Sequence, residues 1–446
     1  MSLTVTPSQP SLSLPLTPRQ RSRGVLFLCI AVGMVGVTMM IQMAMNANFL
    51  ADEIGVNGQQ MGQVEAARET CGITAILLLV VLSGLAEPLV AVGMLVLVGV
   101  GLGSYAYVPG NYLWILVLSL VWSQGLHVWM PLPNSMALGL AQEGKAGRML
   151  GLLAAVGAVG SFCGLGVAAL LAHWHVSMRT TYIFAGLAAL LAAAACVGIP
   201  RNVKTPGPRL VFRRKYALYY LLCFLEGWRK QIFLAFSAFL LVKVYHQPLM
   251  TMLGLWGIVQ VVTTFSGQFV GRVIDRVGER KVLYFYYLSM LVVFAGYAFA
   301  PKLWPDESIR KMALYVLFVT DGAFFILATA LTTYVNRIAP QSEHTATLSA
   351  GVAMNHVAAV SMPFIGGILW QKDPMWTFLI GTVAAVASLV AAGPSAAAQG
   401  CDPWPVIAAH ERADHLKANE VIARGRAWYE GERADYASGR TATAGK

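Results

Sequence analysis

Three ionisable residues interrupt an apolar stretch that is long enough to cross a membrane. Glu226, Arg229 and Lys230 lie about half way along residues 216–243. In a helix all three would lie on one face, because Glu226 precedes the two bases by three and four residues. A charge at the centre of a membrane helix costs about 2.5–3.5 kcal/mol even on mild scales, so such residues tend to face a polar cavity or a partner. These three could bind an anionic group, transfer a proton or form an ion pair.

Further polar residues occur at the same depth of other apolar stretches. Asp321 lies about 10 residues into 311–336, and Gln124 and His127 lie about 12–13 residues into 111–139, so a rise of about 1.5 Å per residue places them near the membrane centre. The sequence therefore predicts one polar layer that contacts a solute. Its members are Glu226, Arg229, Lys230, Asp321, Gln124, His127, Trp122, Asn355 and His356.

Proton transfer and helix locking are two alternative roles for these groups. Carboxyl groups in apolar surroundings favour the protonated form, which suits proton coupling. We expect Glu226, Asp321 or His356 to carry the proton. The alternative is an ion-pair network that only joins helices, since paired charges are common inside membrane bundles. A single intramembrane histidine can likewise serve only as a hydrogen-bonding group between helices.

A second charged triplet lies in the apolar stretch 60–83. Glu65, Arg68 and Glu69 again share one helix face. They are predicted to form a gate or a salt bridge between domains, with direct ligand contact as the alternative.

The composition indicates an integral membrane protein. Of 446 residues, 57% are hydrophobic and 12% are charged, against about 25% charged in soluble proteins. Mean hydropathy is +0.62. The net charge of +11 comes from basic residues placed between apolar stretches, which favours membrane orientation over nucleic-acid binding.

The chemistry of an enzyme is not indicated. The six cysteines are far apart and predict neither disulfides nor a zinc site, and no cluster of metal ligands or hydrolytic triad is recognisable. The phosphate-binding motif G-x-x-x-x-G-K-[ST] is missing from the sequence, which argues against an ATP-driven pump. We therefore expect no enzymatic activity, no cofactor and no resident metal.

Twelve apolar stretches can be marked, each sufficient to cross about 30 Å of hydrocarbon. They lie near 24–47, 60–83, 88–107, 111–139, 148–172, 179–199, 216–243, 249–271, 281–300, 311–336, 346–370 and 375–393. The predicted fold class is an all-α integral membrane protein with twelve transmembrane helices.

A long basic connection at 200–215 divides these stretches into two halves. The predicted N-terminal half is 24–199 and the C-terminal half is 216–393, flanked by cytoplasmic tails at 1–23 and 394–446. Most basic residues of the connections fall on the side of the two tails, as expected for the cytoplasmic face of the cell (inner) membrane. Paired six-helix halves are typical of transporters that bind substrate at mid-membrane between the repeats.

One loop resembles a family motif. Residues 267–281 end a predicted helix, contain two glycines that permit close approach and a tight turn, and place three bases beside the membrane. They resemble the G-x-x-x-D-R-x-G-R-[RK] loop of the major facilitator superfamily, with Glu279 as a one-residue departure. The matching residues are Gly271, Asp275, Arg276, Gly278, Arg280 and Lys281.

The resemblance extends over residues 24–393 and implies secondary transport by alternating access, with the first, fourth, seventh and tenth helices lining a central cavity. It also implies a gating role for the loop. The corresponding turn of the first half, 84–88, lacks the Asp-Arg pair. Stretches around Glu65, Glu226 and Asn355 resemble one branch of this superfamily, and that resemblance specifies no substrate.

The predicted function is therefore proton-coupled secondary transport of a small polar or anionic solute through the bilayer. Two alternatives stay open. A copper importer of the same fold would use the thioethers of the first stretch, at Met34, Met39, Met40, Met43 and Met45. A permease-like sensor or assembly factor that transports nothing would depend on the tail after Gly393.

Overall fold

The chain folds into a helical bundle, seen in a computed structural model that describes residues 16–142, 144–202 and 211–393. The predicted tail 394–446 and the centre of the predicted linker lie outside the described residues.

Twelve helical rods follow one another in the described residues. In the first half they are α1 Pro18–Glu53, α2 Gly58–Val81, α3 Glu87–Gly103, α4 Tyr112–Leu140, α5 Ala146–His173 and α6 Met178–Val197. In the second half, α7 consists of Ala217–Gln231, a π-helical turn Ile232–Ser237 and Ala238–Lys243. It is followed by α8 Leu249–Val277, α9 Glu279–Ala298, α10 Glu307–Ile338, α11 Gln341–Trp370 and α12 Pro374–Ala392.

Ten of these described helices are long and apolar enough to cross a membrane. The other two are α2 and α7, which contain the charged triplets. Their lengths match those of the remaining helices, so the all-α membrane fold class is confirmed and the predicted count of twelve is consistent with the structure.

Helix boundaries differ from the prediction where capping residues extend a helix beyond its apolar part. α1 begins at Pro18, inside the predicted tail, because Thr17 and Gln20 form a reciprocal capping box. α8 continues past the predicted residue 271 to Val277, where Gly278 ends it with φ +88°. The basic residues near both ends are thus held on helices.

Three helices contain local irregularities. α1 ends in a π-helical turn at Phe49–Glu53, α7 is interrupted by a π-helical turn after Gln231, and α10 is interrupted by a 3₁₀ turn at Phe325–Ala328. Such irregular turns are frequent at functional sites. The charged triplet of α7 directly precedes one of them, and Asp321 precedes another.

The two halves meet closely along α2 and α11. A Cβ atom at Gly62 would overlap the Pro363 carbonyl, and one at Gly58 would overlap the Trp370 ring. The Asn48 side chain also donates to the Gln247 carbonyl at 3.1 Å. We call the side at which α1 begins the basic side, because most basic connections lie there. All of these contacts lie towards the opposite side.

Glycines of α5 and α8 differ in how closely they approach a neighbouring helix. Near the opposite side, a Cβ at Gly257 of α8 would lie 3.3 Å from Leu165 of α5. Towards the basic side, a Cβ at Gly151 or Gly271 would meet nothing within 4 Å. α5 and α8 thus approach each other near the opposite side.

Candidate functional site

An ion network lies inside the C-terminal half, between α7, α9 and α10. The Arg229 guanidinium contacts the Glu226 carboxylate at 2.8 Å and the Asp321 carboxylate at 2.9 Å. The Tyr286 hydroxyl donates to Glu226 at 3.1 Å. Arg229 is only 3% exposed and Asp321 is fully buried. The structure thus brings three predicted site residues together, enclosed within one half.

This network has more acid than base. Two carboxylates share one guanidinium, so the ionised network carries a net negative charge. Glu226 uses both of its oxygens, in bonds to Arg229 and Tyr286, whereas Asp321 Oδ2 has no hydrogen-bond partner among the described residues. A buried charge without compensation is costly, so one added proton would neutralise the excess negative charge of the network.

A second ion pair lies inside the N-terminal half. Arg68 contacts both carboxylate oxygens of Glu65 at 2.6 and 2.7 Å, and Asn46 of α1 donates to the same carboxylate at 3.1 Å. The guanidinium lies 4.5 Å from the Trp122 ring, a cation–π contact. Trp122 is fully buried and donates to Tyr105 at 3.0 Å. Trp122 therefore positions Arg68 rather than facing a cavity.

A third group of residues joins the two halves. Glu69 of α2 lies 3.2 Å from the Nδ1 atom of His356 of α11. The ring centroids of His356 and His127 of α4 are 5.2 Å apart. One potential ligand atom from each of these three residues lies within 4.8 Å of the others. We call Glu69, His127 and His356 the interface cluster.

Lys230 and Asn355 extend this layer on the side of the C-terminal half. The Lys230 ammonium donates to Asn355 Oδ1 at 2.9 Å, and the Asn355 amide donates to the Cys223 carbonyl at 3.2 Å. Lys230 and Asn355 are both partly buried. Although adjacent in sequence to Arg229, Lys230 lies on a different helix face and contacts α11 rather than α10.

Gln124 lies apart from the interface cluster, in a cavity of about 430 Å³ between α2, α3 and α4. Thr74 donates to Gln124 Oε1 at 2.5 Å. The Gln124 amide nitrogen has no hydrogen-bond partner among the described residues. The cavity is lined by Thr70, Cys71, Thr74, Leu97, Leu120, Val121 and Gln124.

Two glycines allow α11 to approach its neighbours. A Cβ at Gly72 of α2 would overlap the His356 imidazole. A Cβ at Gly227 of α7 would lie 2.5 Å from the Asn355 carbonyl oxygen. Because both positions lack side chains, Asn355 and His356 reach the layer between the halves.

The predicted gating loop lies at the basic side, between α8 and α9. Gly271, Asp275, Arg276 and Lys281 are exposed, whereas Arg280 donates to the Ala392 carbonyl at 3.0 Å. A gating role for this loop stays a prediction.

Glu279, which departs from the family pattern, has a structural role. It occupies the first turn of α9 and pairs with Arg337 of α10 at 2.9 Å. In the first half, Glu87 opens α3 in the same way and is fully buried. Gly84 and Gly278, both with φ above +80°, precede these acids. The two turns thus share a glycine with positive φ and an acid that begins the next helix, although Gly84 lies three residues before its acid and Gly278 one.

Several contact residues were not anticipated from the sequence. Asn46 was discernible as a polar interruption four residues after Gln42 in an apolar helix. Tyr286 and Gly72 gave no signal, because an aromatic residue or a glycine is ordinary in a membrane helix. Of the methionines proposed for copper, Met40 and Met45 are buried in the hydrophobic core, which favours packing.

The fold is that of a multi-pass membrane protein, and a family match identifies it as a transporter rather than an enzyme. A family model of the Major Facilitator Superfamily matches residues 26–363, and the chain belongs to this superfamily. The predicted family is thereby confirmed. Among curated proteins, none matches the sequence.

Solved transporters share this fold. A mutant of the nucleoside transporter NupG superimposes with a TM-score of 0.69 at 14% identity, over 82% of this chain and 98% of that one. An inward-facing, unoccupied bacterial homologue of the human lysosomal transporter Spinster gives a TM-score of 0.59 at 13% identity, over 84% and 95%. At these identities the similarity concerns the fold alone.

Proposed function

We propose that the protein moves a small polar or anionic solute across the membrane by alternating access, coupled to protons. One observation carries this proposal: both halves contribute polar side chains to a single layer between them. Glu69 and His127 come from the first half, and Lys230, Asn355 and His356 come from the second. A solute bound in this layer would contact both halves, so rocking of the halves would change its access.

The basic side is proposed to face the cytoplasm of a cell with an inner membrane. Arg213, Arg214 and Lys215 precede α7 on that side, as the positive-inside rule requires. With the halves joined at the opposite side, the cavity would open inward. Both ends of the chain would then lie in the cytoplasm.

Lys230 is the proposed contact for an anionic group of the solute. Its ammonium is partly buried and bonds to the neutral Asn355 amide, which an anion would displace. Arg229, the other base predicted to contact solute, is already saturated by two carboxylates. Its proposed role is to hold α10 against α7.

Asp321 is the proposed proton carrier. A proton on Asp321 would make the Glu226–Arg229–Asp321 network neutral and weaken its bond between α7 and α10. Tyr286 and Tyr297 of α9 also face these charges. The 3₁₀ turn of α10 begins four residues after Asp321, so a weakened bond would act where the helix is already irregular.

Ligand screening followed by uptake measurements tests the proposal. The purified protein is screened by thermal shift against a metabolite panel, because a bound solute stabilises the folded state. Uptake of each hit is then measured in proteoliposomes. Lys230→Met should lose at least tenfold in affinity for an anionic hit, as expected when a charged hydrogen bond is removed. The control Lys372→Met, an exposed base before α12, should bind normally.

Two results would contradict this proposal. Normal affinity of Lys230→Met for an anionic solute would remove Lys230 from the site. If the folded protein takes up none of the compounds that stabilise it, a non-transporting role would be favoured.

A further inference from the structure

We propose that Glu69, His127 and His356 bind a divalent transition-metal ion of the Zn²⁺ class across the two halves. This site goes beyond solute transport, and neither the sequence nor the family predicted it. The three residues come from α2, α4 and α11, and one ligand atom of each lies within 4.8 Å of the others. Two imidazoles and a carboxylate form a recurrent zinc ligand set that leaves a fourth position open.

The spacing suits a tetrahedral ion. Zn–N and Zn–O bonds of about 2.0–2.2 Å place neighbouring ligand atoms about 3.3 Å apart. Glu69 Oε2 and His356 Nδ1 already lie 3.2 Å apart. The ligand atom of His127 lies within 4.8 Å of both, so its imidazole would have to come closer to complete the set.

The hydrogen bonds of His127 leave its Nε2 lone pair available to bind a metal. Its Nδ1 atom lies 2.8 Å from the Ser123 carbonyl oxygen, which can only accept a hydrogen bond. Nδ1 therefore carries the hydrogen, and the lone pair is on Nε2. Metal-bound histidines are commonly oriented by such a bond from the other ring nitrogen to a backbone carbonyl.

The surroundings of the interface cluster are shielded but accessible. The Glu69 side chain is 9% exposed and the His356 side chain is 13% exposed. His127 is also partly buried, and Gly72 provides the space for the His356 ring. Because the ligands belong to different halves, a bound ion would hold α11 against α2 and α4 in the arrangement seen.

Lys230 opposes the ion and provides a sharp test. Its ammonium bonds to Asn355, the residue before His356, so it lies beside the interface cluster and would repel a dication. Replacing it with the uncharged Lys230→Met should therefore strengthen metal binding, by roughly tenfold for a nearby charge in partly solvated surroundings. A merely adventitious histidine contact elsewhere on the surface would not respond to this change.

Equilibrium metal binding tests the site directly. The purified full chain, with any polyhistidine tag removed, is titrated with Zn²⁺ in detergent by calorimetry, and thermal unfolding is followed in parallel. One ion per chain is expected, together with a higher melting temperature. His127→Ala and Glu69→Gln should each lower affinity by at least about 100-fold, since even loss of an outer-shell partner costs 10–100-fold.

The matched control is His173→Ala, an exposed histidine at the end of α5. It should bind Zn²⁺ like the unchanged protein. His127 packs within its own helix turn through Ser123, so His127→Ala should fold even if a change at His356 does not. Unchanged Zn²⁺ affinity in folded His127→Ala, or weaker binding in Lys230→Met, would overturn the proposal. Neither measurement needs a solute or a pH gradient, so the result is independent of the proposed transport.

Discussion

Each half of the molecule has an arginine three residues after a buried glutamate, and an aromatic ring lies against each guanidinium. Arg68 pairs with Glu65, and its guanidinium lies 4.5 Å from the centre of the Trp122 ring. Arg229 pairs with Glu226, and its guanidinium lies 5.1 Å from the centre of the Tyr286 ring. What differs is the third partner. In the N-terminal half it is the neutral amide of Asn46, whereas in the C-terminal half it is the carboxylate of Asp321.

This difference changes what each pair can do. The pair Glu65–Arg68 is electrically balanced and stabilises contacts within its half. The C-terminal network has one excess negative charge and an Asp321 oxygen without a partner among the described residues. The balanced pair therefore only holds its half together, whereas the C-terminal network is the one proposed to respond to a proton. The interface cluster lies between them.

The largest effect is expected from Arg229→Met. This change leaves two buried carboxylates without their base, and breaking a buried pair costs about 3–5 kcal/mol. Thermal unfolding in detergent should show a clear loss of stability, and uptake should be abolished. Arg68→Met should cost less, because it leaves only Glu65, still hydrogen-bonded to Asn46.

Arg179→Met is the matched control for this comparison. Its partly exposed pair with Glu53, at 3.2 Å, should contribute about 1 kcal/mol or less. An equal loss of stability for Arg68→Met and Arg229→Met would show that the extra carboxylate has no energetic consequence.

Asp321→Asn should separate coupling from stability. The amide keeps the shape of the side chain and one acceptor oxygen for Arg229, and it removes the excess negative charge. We expect a change in stability within about 1 kcal/mol. Uptake of an identified solute should no longer respond to an imposed pH gradient. Glu65→Gln, the equivalent change in the balanced pair, should keep that response. Persistent gradient dependence in Asp321→Asn would place the proton elsewhere.

The comparison also shows how far the sequence could predict the site. The twelve marked apolar stretches overlap the twelve described helices, because length and apolar content are local properties, although α2 and α7 are less apolar than the other ten. The depth of the charges in the membrane stays a prediction from the helical rise. The helix that each charged side chain contacts could not be predicted in this way. Arg229 and Lys230 are adjacent in sequence but contact different helices, α10 and α11.

Long-range partners could not be predicted either. Glu69 and His356 are 287 residues apart, and their contact depends on a glycine pairing between α2 and α11 that hydropathy does not reveal. Helix ends were missed for a related reason. The start of α1 is set by the polar capping residues Thr17 and Gln20, which an apolar window excludes.

Gly72→Ala is expected to disturb the interface cluster while leaving both ion networks intact. Its methyl group would overlap the His356 imidazole, and overpacking of this kind costs about 1–3 kcal/mol. His356 should be displaced from Glu69, so Zn²⁺ affinity should fall in step with stability. Gly93→Ala in α3, where a Cβ would meet nothing within 4 Å, is the control. Equal stability and metal affinity of the two variants would argue against this contact.

The smallest effect is expected from an acid that pairs outside the membrane-spanning part of α11. Glu343, before the membrane-spanning part of α11, contacts Lys215 at 2.8 Å and accepts from Tyr216 at 2.6 Å. These hydrogen bonds hold the pKa of Glu343 below its ordinary value of 4.5. The ionised form is therefore stabilised by folding, and its contribution is present at neutral pH and lost as pH falls through the lowered pKa.

Glu343→Gln should thus lower the melting temperature slightly at pH 7 and leave it unchanged at a pH below the lowered pKa of Glu343. The shift should be far smaller than for Arg229→Met, because solvent screens an exposed pair. If Glu343→Gln lowered the melting temperature as much as Arg229→Met does, burial would not be what distinguishes the Glu343 pairing from the Arg229 network. The same outcome would remove the basis for proposing that the buried Glu226–Arg229–Asp321 network carries the coupled proton.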